Sequence, residues 1–354
     1  MNVISVPTEK FRAQNPIFHM LYAKIKKHGV EASDFNLRKI LFSDLDVIQI
    51  HFPEHFAMNY PPMAAFMRSF VLLFALVICK IRGVAIVWTV HNVAPFEQRN
   101  IGLYRLLMSA FLRLVDGCIF MSRSSEEEFD RRFPQAKPPM RVHIAHPSYP
   151  IDAASSPAGE KIVIGMIGEQ KHYKQPLQSL RLFQSAHDLF ACRLLIAGKV
   201  DGEQAFRAEL ATLPPSDVQW LNRRLDDHEL EQAASQVNFV LLPYSMITNS
   251  GAAIYALSCQ RPIVASPLPL FIELRERFGP TWVRIADGGE KHASFWAKPT
   301  PEDHRALKQK LEQIDLGATA VQHVAFFKRL RNAQSIGPKS AKRFSDKSDA
   351  KTKT

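Results

Sequence analysis

Short apolar runs, each closed by a polar or glycine-bearing cluster and followed by a stretch of helical period, alternate along the first 300 residues of this chain. Residues 2–6, 46–51, 84–90, 118–121 and 141–144 have the length and composition of strands, as do 161–167, 192–200, 239–242 and 263–265. Between them, Phe18, Leu21, Tyr22 and Ile25 recur at helical spacing, residues 104–114 share that period, and Ser122 to Ser125 can cap a helix over 126–133. Strand and helix in strict alternation predict parallel sheets covered by helices, with ligand sites at the C-terminal ends of the strands.

Residues 147–159, PSYPIDAASSPAG, hold three prolines and no period, and read as a linker. The chain therefore divides into two Rossmann-like, doubly wound α/β domains, 1–150 and 151–300. Amphipathic helices over 301–333 are expected to return to the first domain. From 334 to 354 apolar periodicity is lost, and a disordered basic tail is expected. At 354 residues the chain suits two such domains better than one core. Residues 328–354 carry nine Lys or Arg against two Asp, so of the net charge of +11 only +4 belongs to the rest. A tail of that sign suits an anionic lipid surface as well as plain solubility. No nucleic-acid partner is indicated.

The four cysteines sit in apolar runs without metal-ligand spacing, as expected of reduced core residues in a cytoplasmic protein, and no metal is expected. The first residues lack the charged start and apolar core of a secretory signal. Residues 69–79, SFVLLFALVIC, would rise ~16 Å as a helix, too short to span a bilayer. The run is either buried or, with Met63, Phe66 and Met67 before it, dips into a membrane interface.

Chemistry is concentrated where predicted strands end. In the second half, the strand at 239–242 delivers Pro243 and Tyr244, and Thr248, Asn249, Ser250 and Gly251 then open an alanine-rich helix. Small residues at a helix start admit an anion to the backbone N–H groups and the positive end of the dipole. An ordinary helix cap would use the same residues. Gly168, Lys171, Lys174 and Gly198 follow two other strands and would join this loop in a phosphate-binding crevice. In the first half, the clusters at 9–16 (with Asn15), 51–55 (HFPEH) and 91–97 (HNVAPFE) end strands. Sugar transfer to a hydroxyl requires a proton acceptor and positive charge or N–H dipoles at the departing diphosphate. Glu54 and His91 are candidates for the first task, Lys171, Lys174 and the Ser250 helix start for the second. Asn15, His51, Asn92 and Glu97 would contact the acceptor. Two such domains facing a cleft constitute the GT-B arrangement of nucleotide-sugar-dependent glycosyltransferases.

The HFPE cluster, THNVAPFE at 89–97, LLPYSMITNSGAAIYALSCQRPIVAS and GPTWV at 279–283 resemble the GumI-type β-mannosyltransferases of bacterial exopolysaccharide assembly. The likeness runs in order through most of residues 1–300. It implies GDP-mannose as donor, a polyprenyl-diphosphate-linked oligosaccharide as acceptor, inversion at the anomeric carbon, and a peripheral place on the cytoplasmic face of the inner membrane. The chain more loosely resembles the retaining group 1 glycosyltransferases, whose two donor-site glutamates would fall at Ile247 and Tyr255. Both carboxylates are missing here. A retaining enzyme that uses a UDP-sugar, a nucleotide-sugar epimerase and a non-catalytic GT-B scaffold subunit are the competing readings.

Overall fold

The computed structural model describes residues 1–6, 16–93, 99–151 and 161–335, in two compact units, one of residues 1–145 with 316 onward and one of residues 146–315. Asn15, Glu97 and the tail beyond residue 335 lie outside the described residues.

Unit 1 opens with β1 (Asn2–Val6), α1 (Pro16–Lys26), β2 (Glu31–Ser33), α2 (Leu37–Phe42) and β3 (Val47–Ile50). It continues with α3 (His55–Met58), α4 (Pro62–Ile81), β4 (Ala85–Val90), α5 (Ile101–Leu114), β5 (Gly117–Phe120), α6 (Arg123–Arg132) and β6 (Met140–His143). The six strands are all parallel, in the order β2-β1-β3-β4-β5-β6. Every residue of β3, β4 and β5 is buried, which is why these segments read as near-continuous apolar runs, interrupted only by Gln49 and Thr89, rather than alternating ones. Successive side chains leave opposite faces of the sheet. Ile48, Ile50, Ile86 and Trp88 thus join the apolar core with Leu72 and Leu76 of α4 and Phe111 of α5. Gln49 and Thr89 share the other face.

The order of the strands reverses between β1 and β3, since β1 continues outward to β2 while β3 leads to β4, β5 and β6. Such a reversal opens a crevice at the strands' C-terminal ends. His51 and Glu54 follow β3 at that point.

Helix α4 corrects the length assigned from the apolar run. Pro61 and Pro62 start it, and it runs 20 residues, not eleven, long and apolar enough to cross a membrane by length and composition alone. Ala65, Ser69, Leu72, Ala75, Leu76 and Cys79 are buried against the unit, and Met63, Phe66, Met67, Phe70, Phe74, Val77 and Ile81 form an exposed apolar stripe.

Unit 2 holds β7 (Ile162–Ile167), α7 (Pro176–His187), β8 (Cys192–Ala197), α8 (Glu203–Leu210), β9 (Val218–Leu221) and α9 (Asp227–Gln236). Then come β10 (Phe239–Leu242), α10 (Gly251–Ser258), β11 (Ile263–Ala265), α11 (Pro269–Phe278), β12 (Val283–Ile285) and α12 (Pro301–Glu312). Its strands are likewise parallel, ordered β12-β11-β10-β7-β8-β9, and reverse between β7 and β10. Residues 147–149 are not a loose linker. Ser148 N–H and Oγ donate to Ile314 O and Leu311 O, and Tyr149 N–H donates to Ser258 Oγ.

The final helix, α13 (Leu316–Ser335), belongs to unit 1, where it packs on α1 and β4. It lies so close to β5 that a Cβ on Gly117 would stand 2.7 Å from Phe326 Cζ.

Candidate active site

In unit 1 the parallel register pairs Ile50 with Trp88, so the turns after β3 and β4 leave the sheet side by side. That register brings His51 and His91 together, with His51 Nδ1 2.9 Å from His91 Nε2. Phe52 stacks on His91 at 4.5 Å between ring centroids, and Phe18 of α1 meets both imidazoles edge-on. His51 is 2% exposed, and burial pushes its pKa down to about 3, so the ring is neutral. His91 is half-buried.

Glu54 sits at the N-cap of the short helix α3 with α-helical backbone angles and makes no side-chain cap. Its carboxyl, in a residue only 8% exposed, receives a 3.4 Å hydrogen bond from Asn92 Nδ2. Burial raises its pKa from 4.5 to about 7, against the opposing pull of its own backbone and Asn92. A buried carboxyl that exchanges its proton near neutrality has the properties required of a general base. Asn100, left-handed at φ 53°, donates to Ala57 O and Tyr60 O and so ties the start of α5 to the end of α3.

In unit 2 the strand ends carry glycines where chains approach closely. Gly198 (φ 142°) follows β8, and a Cβ there would lie 2.5 Å from Gly168 O, beyond β7. The loop after β7 curls back on itself, and Lys174 Nζ donates to Glu169 O at 2.6 Å. Lys174 is half-buried, stands 5.9 Å above the Tyr244 ring and has its pKa lowered to about 8 by desolvation. Lys171 is drawn away instead, toward Glu169 (3.4 Å) and Asp201 (3.8 Å), and both carboxylates offset its charge. Ser245 N–H donates to Tyr173 O and ties the loop after β10 to that after β7.

Ser250 is the N-cap of α10, its Oγ accepting from Ala253 N–H at 3.1 Å, and Thr248, Asn249 and Gly251 surround this helix start. Tyr244, 3% exposed, presents a buried hydroxyl with no protein partner of good geometry, Ser250 being the polar group that acts on it. Two residues not expected at the site stand opposite Gly251: Tyr149 Oη and His146 Nε2, 3.3 and 3.4 Å from where its Cβ would be. His146 Nδ1 donates to Pro147 O, and burial lowers its pKa, which leaves Nε2 as the ring's acceptor. The Tyr149 ring meets Tyr255 edge-on at 5.2 Å. Their signal was the aromatic pair within HPSYP, hidden by the prolines around it. No group of three or more His, Cys, Asp or Glu placed to hold a metal occurs among the described residues.

No protein-family model matches the chain. Over 293 residues it is 25% identical to the GDP-mannose:glycolipid 4-beta-D-mannosyltransferase of Xanthomonas campestris pv. campestris, covering 79% of this chain and 78% of that protein. Among solved structures it is similar to Anabaena HepE in complex with UDP, with a TM-score of 0.65 at 14% identity, covering 93% of this chain and 100% of that one. It is equally similar to sucrose-phosphate synthase from Thermosynechococcus elongatus, with a TM-score of 0.65 at 14% identity, covering 94% and 100%. The fold is the two-domain α/β GT-B fold, as expected from the alternating pattern. With the curated relative, it supports a glycosyltransferase that uses a nucleotide-sugar donor.

Proposed function

We propose that this chain moves mannose from GDP-mannose, with inversion, onto a polyprenyl-diphosphate-linked oligosaccharide during bacterial exopolysaccharide assembly. The observation that carries the reading is the similarity to a GDP-mannose:glycolipid mannosyltransferase over nearly four fifths of both chains. Unit 2 is the donor lobe. Lys174, the Ser250–Gly251 helix start and the unpartnered Tyr244 hydroxyl receive the diphosphate, with Gly168, Gly198 and Asn249 shaping the floor and Lys171 at the rim. Unit 1 is the acceptor lobe. Glu54 takes the proton from the attacking hydroxyl, His91 hydrogen-bonds a sugar, and Asn92, Asn15 and Glu97 complete the acceptor site, which the buried His51 serves through its bond to His91. Ile247 and Tyr255 replace the carboxylates of the retaining enzymes, which favours single displacement.

The protein works as a peripheral occupant of the cytoplasmic face of the inner membrane. One third of the apolar span of α4 is buried within the described structure, so the helix lies along its unit and offers a lipid surface the stripe from Met63 to Ile81. The basic tail adds electrostatic attraction.

A second reading, a UDP-sugar donor, is favoured by the solved complex of Anabaena HepE with UDP-glucose. A donor panel decides between them: GDP-mannose, UDP-glucose, UDP-galactose and UDP-glucuronate, each with a native lipid-linked oligosaccharide extract. Transfer from GDP-mannose alone with a β product is expected. Transfer from a UDP-sugar, or an α product, overturns the first reading, and transfer from none of them favours a scaffold role.

A further inference from the structure

Beneath His91 lies a continuous row of buried polar side chains on the face of the unit 1 sheet toward α1. Thr89 Oγ accepts from Gln49 Nε2 at 2.6 Å, and Gln49 Oε1 accepts from Tyr22 Oη at 2.6 Å. Tyr22 Oη is also 3.0 Å from His51 Nε2, and His51 Nδ1 is 2.9 Å from His91 Nε2. Gln49 is fully buried, and Tyr22, His51 and Thr89 are 2–5% exposed. Ser5 touches Tyr22 from β1, and a buried His323 faces His51 from α13.

The hydrogen atoms of this row run one way. Tyr22 spends its only hydrogen on Gln49 Oε1, so toward His51 it is an acceptor, and His51 carries its hydrogen on Nε2. Neutral His51 then has a bare Nδ1, which accepts from His91 Nε2–H. The Gln49 amide sets the direction at one end, and the His91 tautomer is the result at the other. Apolar side chains of equal volume would fill this space without five polar groups to satisfy, so the row contributes geometry rather than bulk stability.

Resting on the assignment of His91 to the transfer site, we propose that Tyr22 and His51 are positioning residues that hold His91 as its Nε2–H tautomer, so that Nδ1 is the nitrogen with which it accepts a hydrogen or a proton. Neither residue contacts a substrate. They act through His91, as orienting partners act on catalytic imidazoles generally.

The test has two arms. In the first, 15N-labelled histidine in the full-length resting protein is read by two-bond 1H–15N correlation, the His91 signals being assigned by their loss in His91→Asn. The expected result is Nε2–H at both His51 and His91, and an Nδ1–H His91 overturns the proposal. This arm needs no substrate and holds whatever donor the protein uses. In the second, transfer by Tyr22→Phe and His51→Phe is compared with wild type. Both variants keep an aromatic ring in place, and each is expected to lower kcat by about 10- to 100-fold with donor and acceptor KM unchanged within about twofold. His51→Gln, whose amide oxygen can accept from His91, is expected to recover part of that loss. A His51→Phe protein with wild-type kcat, or losses confined to KM, sinks the positioning role. If wild type itself transfers nothing while His91 reads as Nε2–H, the proposed function fails and the relay stands.

Discussion

Substituting Glu54 by Gln is expected to stabilise the protein while removing its activity. The carboxyl is almost wholly buried, so little solvent screening needs to be discounted, and its ionisation moves from 4.5 to about 7 on folding. Below pH 4.5 the group is protonated in both folded and unfolded chains and has no effect. Between 4.5 and 7 the unfolded chain releases the proton and the folded one retains it, so stability falls steadily as pH rises and the loss is complete above 7. At ~1.36 kcal/mol per pH unit the total is about 3 kcal/mol. Gln keeps the shape and can still accept from Asn92, but it never ionises. Urea denaturation of both proteins from pH 4 to 8.5 isolates the effect, because every other titrating group is common to both. The curves should coincide near pH 4, with Glu54→Gln more stable by about 3 kcal/mol at pH 8, while sugar transfer falls at least 100-fold with donor binding intact. Equal stabilities across the whole range would show that Glu54 is solvated and has an ordinary pKa. Undiminished transfer would remove it as the base.

Lys174→Ala should lose about 2–4 kcal/mol of transition-state stabilisation, read as kcat/KM for the true donor, and near-normal turnover would displace the lysine from the diphosphate site. Because its pKa is lowered to about 8, the wild-type kcat/KM for donor should fall as pH rises through 8, and a flat profile to pH 9.5 contradicts that burial. Gly198→Ala, at φ 142° and 2.5 Å from Gly168 O, should lower stability by roughly 1–3 kcal/mol and weaken donor binding in calorimetry. Gly117→Ala should be destabilising by about 1–3 kcal/mol in denaturant titration because the Phe326 ring has no room to withdraw. Replacing Phe70 and Phe74 by Ser should release the protein from anionic vesicles with little change in stability, since both rings are already exposed.

The strands at the centre of each sheet were legible in the sequence because they are buried on both faces, as VIQI and AIVWTV show. Strand β2, Glu-Ala-Ser at a sheet edge with no buried residue, carries no apolar signal at all. Strand β9, Val-Gln-Trp-Leu, is short and split by Gln219, and its four residues are only half-buried or exposed. Helix α4 was underestimated because Arg68 interrupts its apolar sequence and sets off the run at 69–79 from the apolar first turns before it. At the site, Glu54 and His91 could be picked out singly as polar residues that close apolar strands. That His51 bonds His91, and that Tyr22 lies behind them, depends on the register between β3 and β4 and on the docking of α1. Periodicity within one segment contains neither. His146 and Tyr149 were obscured for another reason: prolines that normally mark a linker here hold a short extended segment against Ser258, Leu311 and Ile314.

The return of α13 to unit 1 sets an order on synthesis. Residues 1–145 emerge first, yet the helix that covers Gly117 and packs on α1 is about 190 residues further on. At roughly 5–20 residues per second, the first unit waits roughly 10–40 s for its last helix, while the second can close around its own core in the meantime. During that interval the pocket for Phe326, Phe327 and Leu330, all buried in the finished protein, stands open on the sheet face opposite α4, whose own apolar stripe is exposed as well. A nascent chain with two apolar surfaces and no final helix invites early engagement by a chaperone or a bilayer. The unit that begins the chain is therefore the one finished last.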